Sequence, residues 1–147
     1  MIAIASDHGG YKLKEAIKVF LSENGYEYKD FGTNSEESCD YADYAKPVAL
    51  SVKNGECEKG ILICGTGIGM SLAANKVKGI RAALCGDYFS AKYTRLHNDA
   101  NIICIGERVT GEGLALELVD VFLKTEFEGG RHAKRIEKIA KMEEENL

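Results

Sequence analysis

The sequence predicts an α/β fold in which a parallel β-sheet is covered by helices. Short apolar segments alternate with longer amphipathic ones along the 147 residues, which is the pattern of strands joined by helical crossovers. Near the middle of the chain, an apolar run passes through a glycine-rich turn into helix-forming residues. Apolar residues at 45% and charged residues at 29% are normal for a globular protein of this class.

The first third of the chain contains two predicted strands, each followed by a helix. Ile2 to Ser6 is the first strand, and the helix after it ends at Gly25. This helix has apolar residues at helical spacing, namely Leu13, Ile17, Phe20 and Leu21. Tyr26 to Phe31 alternates in polarity, which places the second strand near a sheet edge. The next helix, Tyr41 to Asn54, contains Pro47, which is expected to kink or split it.

The remaining elements repeat the alternation of strand and helix. The predicted strands are Gly60 to Cys64, Gly79 to Cys85 and Asn101 to Ile105. The predicted helices after the glycine-rich turn are Tyr88 to Leu96, Gly111 to Lys124 and a charged helix from Arg131 to Glu145. In the last of these, we expect Ala133, Ile136, Ile139 and Ala140 to face the core.

The turn from Cys64 to Gly69 is the centre of the predicted site. Its glycines allow positive φ angles and close backbone approach, and the helix that follows leaves unpaired N–H groups at its start. These donors and the helix dipole favour bound negative charge. Cys64 lies at the mouth of this predicted pocket, where a helix N-terminus favours the thiolate. The sequence therefore predicts a base beside an anion hole.

Length, charge and cysteine content limit the possible classes of protein. A chain of 147 residues forms one domain, residues 1–147, that buries roughly 70% of its unfolded surface. The five cysteines are odd in number and form no CxxC pair, so we expect reduced thiols rather than a disulfide framework or zinc site. A net charge of −4 argues against nucleic acid as a partner. Without a membrane-length apolar run or a basic leader, we expect a cytoplasmic protein with no membrane partner.

Polar residues at the strand ends indicate where a ligand binds, because open α/β sheets bind ligands beyond the carboxyl ends of their strands. Asp7 and His8 follow the first strand, and Arg108 follows the fifth. His97 and Asn98 are predicted in the loop entering the fifth strand, so that all three histidines lie in loops or at helix starts.

A second glycine turn, Gly129-Gly130, opens the last helix. Arg131 and Arg135 are four residues apart and share one face of that helix. Their guanidinium groups suit a phosphate, which they can hold bidentately. On spacing alone, a solvated charged face explains the pair equally well.

Several short motifs follow one another in a fixed order. They are Ser6 to Gly10, Cys64 to Ser71, Ala74 to Lys76, Gly79 to Arg81, His97 to Asp99, Gly106 to Arg108 and Glu128 to His132. Together they resemble the motifs of type B ribose-5-phosphate isomerases, from residue 2 to about residue 140. Each motif alone is a weak indicator, but their joint order and spacing are specific.

The resemblance implies a Rossmann-like three-layer α/β/α sandwich on a five-stranded parallel sheet, with an extra C-terminal helix. Strands one and three would be neighbours, which brings the loops of His8 and Cys64 side by side. The resemblance also implies a homodimer whose active site is lined by both subunits, and it leaves open a dimer of dimers. The substrate would be a small sugar phosphate of the pentose phosphate pathway, and no cofactor or metal is implied.

The chemistry implied is interconversion of ribose 5-phosphate and ribulose 5-phosphate through an enediolate. Cys64 would move the proton at carbon and Thr66 would relay a proton between the sugar oxygens. The enediolate would be held by backbone N–H groups of the glycine turn, which covers Gly65, Gly67, Ile68, Gly69 and Ser71. His97 would open the sugar ring. The remaining contacts would come from Asn98 and Asp7 to hydroxyls, and from His8, Arg108, Arg131 and Arg135 to the phosphate.

The sequence departs from the family pattern at two positions. Some relatives use a glutamate where this chain has Met70, and because Met70 cannot ionise, Cys64 is the only candidate base of the two. Ala42 replaces a frequent proline, which leaves the positions of Asp40 and Tyr41 near the sugar undetermined.

Three other functions compete with this interpretation. A dinucleotide-binding domain fits Gly65-x-Gly67 with Asp87 about twenty residues on, but Met70 stands where the third glycine belongs. A non-catalytic sugar-phosphate sensor would leave Cys64 as a core residue. A six-carbon substrate, allose 6-phosphate or galactose 6-phosphate, would keep the chemistry and require only a deeper pocket.

Overall fold

The computed structural model describes residues 1–147 and contains one five-stranded sheet. The strands are β1 (Ile2–Ser6), β2 (Tyr28–Asp30), β3 (Lys59–Cys64), β4 (Ala82–Leu84) and β5 (Ile102–Gly106). Their order across the sheet is β2-β1-β3-β5-β4, and every pairing is parallel. The predicted parallel sheet, the edge position of β2 and the contact between β1 and β3 are confirmed.

Six α-helices connect and follow the strands. They are α1 (Tyr11–Glu23), α2 (Tyr41–Lys53), α3 (Ile68–Ala74), α4 (Tyr88–Asn98), α5 (Glu112–Lys124) and α6 (Arg131–Glu144), with a short 3-10 turn at His8–Gly10 before α1. None of these helices has the length and apolar character needed to cross a membrane.

The two faces of the sheet form two separate cores. On one face, isoleucines of the central strands such as Ile4, Ile61 and Ile103 pack with residues of α1, α4 and α5. On the other face, smaller residues such as Ala3 and Ala5 pack with α2 and α3. Successive strand residues point to opposite faces, so a nearly continuous apolar strand supplies both cores at once. This arrangement confirms the three-layer sandwich.

Pro47 does not split α2, contrary to one of the two expected outcomes. The helix runs continuously from Tyr41 to Lys53 with Pro47 inside it. Proline removes the backbone donor that would have bound the carbonyl of Asp43. Asp43 is solvent-exposed, so water can supply that hydrogen bond and the helix tolerates the loss.

Helix α4 is longer than predicted, which moves two candidate site residues from a loop onto a helix. It begins after Asp87, whose side chain accepts a hydrogen bond from the Ser90 N–H, and includes His97 and Asn98 in its last turn. Asp99, in the left-handed conformation with φ of 46°, ends it. The prediction that His97 and Asn98 lie in a loop, and that all histidines lie in loops or at helix starts, is therefore wrong.

The apolar side of α6 does not face the core, which corrects a second prediction. Ala133, Ile139 and Ala140 are exposed and Ile136 is only half-buried, whereas His132 is the one buried residue of the helix. The reason is that α6 packs on α4 through its first turn. Farther along the helix, Ile139 and Met142 line an open cavity beside β4 and are not enclosed in the core.

A buried lysine ties helix α1 to the edge strand β2. Lys14 has no exposed side-chain surface, and its Nζ donates to both carboxylate oxygens of Asp30 at 2.8 Å and to the Thr33 carbonyl at 2.6 Å. Lys18 Nζ lies 2.9 Å from the same carboxylate. Burial opposes the ionisation of Asp30, but the hydrogen bonds from Lys14, Lys18 and the Gly32 N–H outweigh it and hold its pKa below the ordinary value.

We predict that Lys14→Met lowers the free energy of unfolding by about 3 kcal/mol, because it leaves a partly buried carboxylate and a buried carbonyl without their main donor. The measurement is urea denaturation at neutral pH. Lys12→Met is the matched control, because Lys12 is exposed and its nearest carboxylate, on Glu36, is 3.8 Å away. Equal effects of the two substitutions would contradict the structural role of Lys14.

The contribution of the Asp30 carboxylate to the free energy of unfolding depends on pH. Because the folded-state pKa of Asp30 lies below its ordinary value of 3.8, its contribution to stability is complete above that value. The contribution is lost as the pH falls through the lower folded-state pKa.

Candidate active site

The loops after β1 and β3 meet at the carboxyl edge of the sheet. The Asp7 N–H donates to the Ile63 carbonyl at 3.2 Å, so the chain continues the pairing past the end of β1. At Gly10, a β-carbon would lie 2.6 Å from the Ile63 carbonyl oxygen, and only glycine fits this approach. The prediction that the loops of His8 and Cys64 lie side by side is therefore confirmed.

Asp7 shapes the first of these loops. Its Oδ1 accepts hydrogen bonds from the Gly9 N–H at 2.9 Å and the Gly10 N–H at 3.2 Å, and the residue is buried. One carboxylate oxygen thus caps the turn before α1. Only the other oxygen is left for a ligand.

The thiol of Cys64 lies at the floor of the second loop rather than at its mouth. Cys64 is only 5% exposed, and its Sγ accepts a hydrogen bond from the Gly67 N–H at 3.1 Å. Gly67 has a φ of 79°, which turns its amide toward the sulfur and starts α3 at Ile68. A small reacting group must reach the sulfur from within the loop.

The start of α3 provides backbone donors, but two of the predicted ones are engaged, because the Gly67 N–H donates to Cys64 Sγ and the Ile68 N–H to Thr66 Oγ1. The amides of Gly69 and Met70 have no backbone acceptor, as is usual for a first helical turn. The exposed Thr66 accepts a long hydrogen bond from the Ile68 N–H, at 3.3 Å. The Ser71 hydroxyl donates to the Ile68 carbonyl at 2.7 Å, so it serves the helix and is not free for a ligand in this arrangement.

Hydrogen bonding distinguishes Cys64 from two other buried thiols. Burial raises the pKa of Cys85 to about 11, and it raises the pKa of Cys104 further, with the thiols of Cys64 and Cys85 adding to the effect. Both stay protonated at neutral pH. Of the three sulfurs, only that of Cys64 accepts a hydrogen bond from a backbone N–H.

A polar pocket of about 250 Å³ adjoins these loops. It is lined by His8, Gly9, Lys12, Glu36, Glu107 and Arg108. The Arg108 Nη1 lies 3.1 Å from the position of a β-carbon on Gly65, so the guanidinium covers the start of the cysteine loop. Cys39 donates its N–H to His8 Nδ1 at 3.2 Å, which leaves His8 Nε2 free. Two predicted phosphate ligands, His8 and Arg108, are thus brought together near Cys64.

Sequence reasoning missed two residues around this pocket. Lys12 lies one helical turn after His8, a spacing that could have identified it. Glu107 Oε1 accepts from the Leu13 N–H at 2.7 Å and so joins the loop after β5 to α1. No sequence signal indicates this long-range contact. Tyr41, whose position the sequence left undetermined, has its ring 2.7 Å from the position of a β-carbon on Gly69, at the start of α3.

The other predicted residues form a second group at the opposite edge of the sheet. Helix α4 leaves β4 at the carboxyl edge and returns to the start of β5, so His97 and Asn98 in its last turn lie at the amino edge. The His97 ring stacks on His132 with centroids 4.1 Å apart, which brings the start of α6, with Arg131 and Arg135, to the same edge.

The two groups are too far apart to act together within one chain. The five residues of β5 span about 17 Å between the edges, more than a five-carbon sugar phosphate can bridge. Cys64, Thr66, Asp7, His8 and Arg108 therefore form one half of the predicted site, whereas His97, Asn98, Arg131 and Arg135 form the other.

The second group contains the only three potential metal ligands that lie close together. Suitable atoms of His97, Glu128 and His132 all lie within 4.8 Å of one another. Burial lowers the pKa of His132, and the neighbouring His97 and Arg131 lower it further.

Comparison with known proteins matches nearly the whole chain and its fold. The family model for ribose/galactose isomerases matches residues 2–139. A putative sugar phosphate isomerase of Bacillus subtilis, YwlF, is 58% identical over 147 residues and covers 99% of both chains. Ribose-5-phosphate isomerase B of Escherichia coli is 50% identical over 143 residues, covering 97% of this chain and 96% of that protein.

A solved structure gives the same result. The ribose-5-phosphate isomerase B of Clostridium thermocellum superimposes with a TM-score of 0.98 at 57% identity, covering 99% of both chains. The chain described here therefore belongs to the ribose/galactose isomerase family.

Proposed function

We propose that this protein is an aldose-ketose isomerase that interconverts ribose 5-phosphate and ribulose 5-phosphate. The observation that carries the proposal is the Cys64 sulfur, which accepts the Gly67 N–H at 3.1 Å beside the pocket of His8 and Arg108. In this proposal residues 1–147 act as one catalytic domain. A cytosolic location fits its five free thiols.

The isomerisation step uses Cys64 as the base. The thiolate takes the proton from C2 of the open-chain aldose, and the electrons left behind form the C1–C2 double bond while O1 becomes negative. Free amides at the start of α3 stabilise this enediolate. The Thr66 hydroxyl passes a proton from O2 to O1, and the Cys64 thiol then returns its proton to C1. The product is the ketose, and Cys64 is again a thiolate.

No metal or cofactor is needed in this scheme. Backbone N–H groups replace the Lewis acid by stabilising the oxyanion. The phosphate is held by His8 and Arg108, whose charged or polar nitrogen atoms line one wall of the pocket. Asp7 binds sugar hydroxyls through the carboxylate oxygen that does not cap the turn.

A homodimer supplies the remaining groups. His97 and Asn98 of the partner subunit would open the ring and bind the sugar, and the partner's Arg131 and Arg135 would complete the phosphate site. Two features support this arrangement: the second group lies at the wrong edge for its own Cys64, and α6 exposes the apolar residues Ile139 (48%) and Met142 (56%). A two-fold axis would then form two identical sites, and a dimer of dimers would preserve them.

Substrate choice is tested by comparing kcat/KM for ribose 5-phosphate, allose 6-phosphate and galactose 6-phosphate, with excess chelator present. We expect ribose 5-phosphate to be preferred, because relatives at 50% and 57% identity are named ribose-5-phosphate isomerase B. If the protein prefers a six-carbon sugar phosphate, we would assign the same mechanism to that substrate. Absence of turnover with all three, despite binding, would favour a non-catalytic sensor.

We predict that Cys64→Ser lowers kcat for ribose 5-phosphate at least 100-fold, because a hydroxyl cannot act as the base near neutral pH. Phosphate binding and the melting temperature should stay close to those of the parent protein, since the two side chains have similar shapes. Cys57→Ala is the control, because Cys57 is buried outside the pocket. Retained turnover in the Cys64→Ser protein would contradict the assignment of the base.

The shared site predicts complementation between two defective variants. His97→Asn should slow turnover of ribose 5-phosphate strongly, because the ring is no longer opened. When Cys64→Ser and His97→Asn chains are co-expressed, a mixed dimer has one site with both residues intact. With random pairing, half of the dimers are mixed and each of these has one intact site out of two. The mixture should therefore recover about a quarter of the parent activity.

The control pairs Cys64→Ser with Arg108→Ala. These residues lie at the same edge of the sheet, so every site of the mixed dimer carries one defect and no recovery is expected. Equal recovery in both mixtures, or none in a purified Cys64→Ser/His97→Asn heterodimer, would rule out the shared site.

A further inference from the structure

Glu128 faces the edges of two stacked imidazoles. Its Oε1 lies 3.9 Å from His97 Nε2, and its Oε2 lies 3.6 Å from His132 Nε2. The two rings are 4.1 Å apart and within 12° of parallel. One carboxylate oxygen therefore lies near each ring nitrogen, at a distance slightly longer than a hydrogen bond.

The arrangement suits protons better than a metal ion. Imidazole nitrogen lone pairs lie in the ring plane, and parallel stacked rings direct them side by side rather than toward one point. A bound ion requires its ligands to converge on one centre. A carboxylate with two oxygens, in contrast, can accept one N–H from each ring without any change in stacking.

The Glu128 carboxylate is the nearest acceptor for a buried nitrogen of His132. The residue is 5% exposed, and its Nε2 is one of two buried polar side-chain atoms in the chain without a hydrogen-bond partner. Burial, reinforced by the positive charges near it, lowers its pKa. His132 is therefore neutral near pH 7 and offers at most one N–H to Glu128.

His97 is held from several sides. His132 covers one face of its ring, and the Tyr93 ring contacts it edge-on at 5.0 Å. Glu128 is anchored independently of its side chain, because its N–H donates to the Leu96 carbonyl at 3.1 Å. The side chain of His97 is itself 36% exposed, so part of the ring remains open to a bound sugar.

We propose that Glu128 is a positioning residue that fixes the tautomer of His97. By accepting the Nε2–H, the carboxylate leaves Nδ1 as the nitrogen that exchanges a proton with the substrate. This inference rests on the proposed function for its catalytic consequence. His132 keeps the ring in place and shares the carboxylate.

In ring opening, Nδ1 of His97, in the tautomer with Nε2–H, takes the proton of the anomeric hydroxyl as the C1 aldehyde forms and the bond from C1 to the ring oxygen breaks. The ring oxygen then receives that proton from Nδ1. Nε2–H stays bonded to Glu128 throughout, and the imidazole ends in the state in which it began.

The first test is the ¹⁵N NMR spectrum of the imidazoles in mildly alkaline buffer without substrate. In the parent protein, His97 should have a protonated Nε2 and an unprotonated Nδ1. In Glu128→Ala, the His97 signals should shift toward a mixture of both tautomers. Glu137→Ala, at an exposed position of α6, should leave them unchanged. Identical His97 spectra in the parent and Glu128→Ala would overturn the proposal, whatever the activity.

The second test separates ring opening from isomerisation. Erythrose 4-phosphate cannot close a furanose ring, because its C4 oxygen carries the phosphate. Glu128→Ala should lower kcat for ribose 5-phosphate about tenfold or more, while C2–H exchange of erythrose 4-phosphate in D₂O should change by less than about twofold. Equal losses with both substrates would overturn the proposal. An inactive parent protein would refute the proposed function instead, and the NMR result would still stand.

Discussion

The close contact between the turn after β1 and the end of β3 is the constraint on which the site depends. Gly10 sits where a β-carbon would overlap the Ile63 carbonyl, and this contact holds the carboxylate turn of Asp7 directly beside the loop of Cys64. The loop after β5 is attached to the same point, because Arg108 donates its N–H to the Gly65 carbonyl at 3.0 Å. Three loops that are distant in sequence therefore form one rigid wall.

The buried Lys14 supports this wall from behind. Its Nζ binds the Thr33 carbonyl, and the Thr33 N–H donates in turn to the carbonyl of Ser6, the residue before Asp7. A charged group in the interior is costly unless it is fully paired. Here the pairing connects α1, β2 and the loop after β1, so an interaction of the core also fixes the geometry of the candidate site.

The length of the strands divides the functional residues into two groups. The free backbone N–H groups, the Cys64 thiol, His8 and Arg108 lie at the carboxyl edge, whereas the two imidazoles, Glu128 and two arginines lie at the amino edge. A single sheet cannot bring its two edges together. If the proposed homodimer forms, the exposed apolar side of α6 becomes buried, and the same association completes both the core and the chemistry. Catalysis and assembly would then be inseparable in this protein.

The sequence by itself determined the α/β class, the strands and the glycine turn, because these depend on local periodicity, and the family resemblance added that the loops of His8 and Cys64 lie side by side. It also identified Arg131, Arg135 and His97 as unusual. Only the tertiary structure decided that Cys64 lies at the floor of its loop, that α4 carries His97 and Asn98, and that the apolar side of α6 is uncovered. These outcomes depend on where helices end and on which surfaces meet. A pattern along the sequence cannot predict such long-range packing, because the same apolar spacing occurs in helices that face a core and in helices that face an interface.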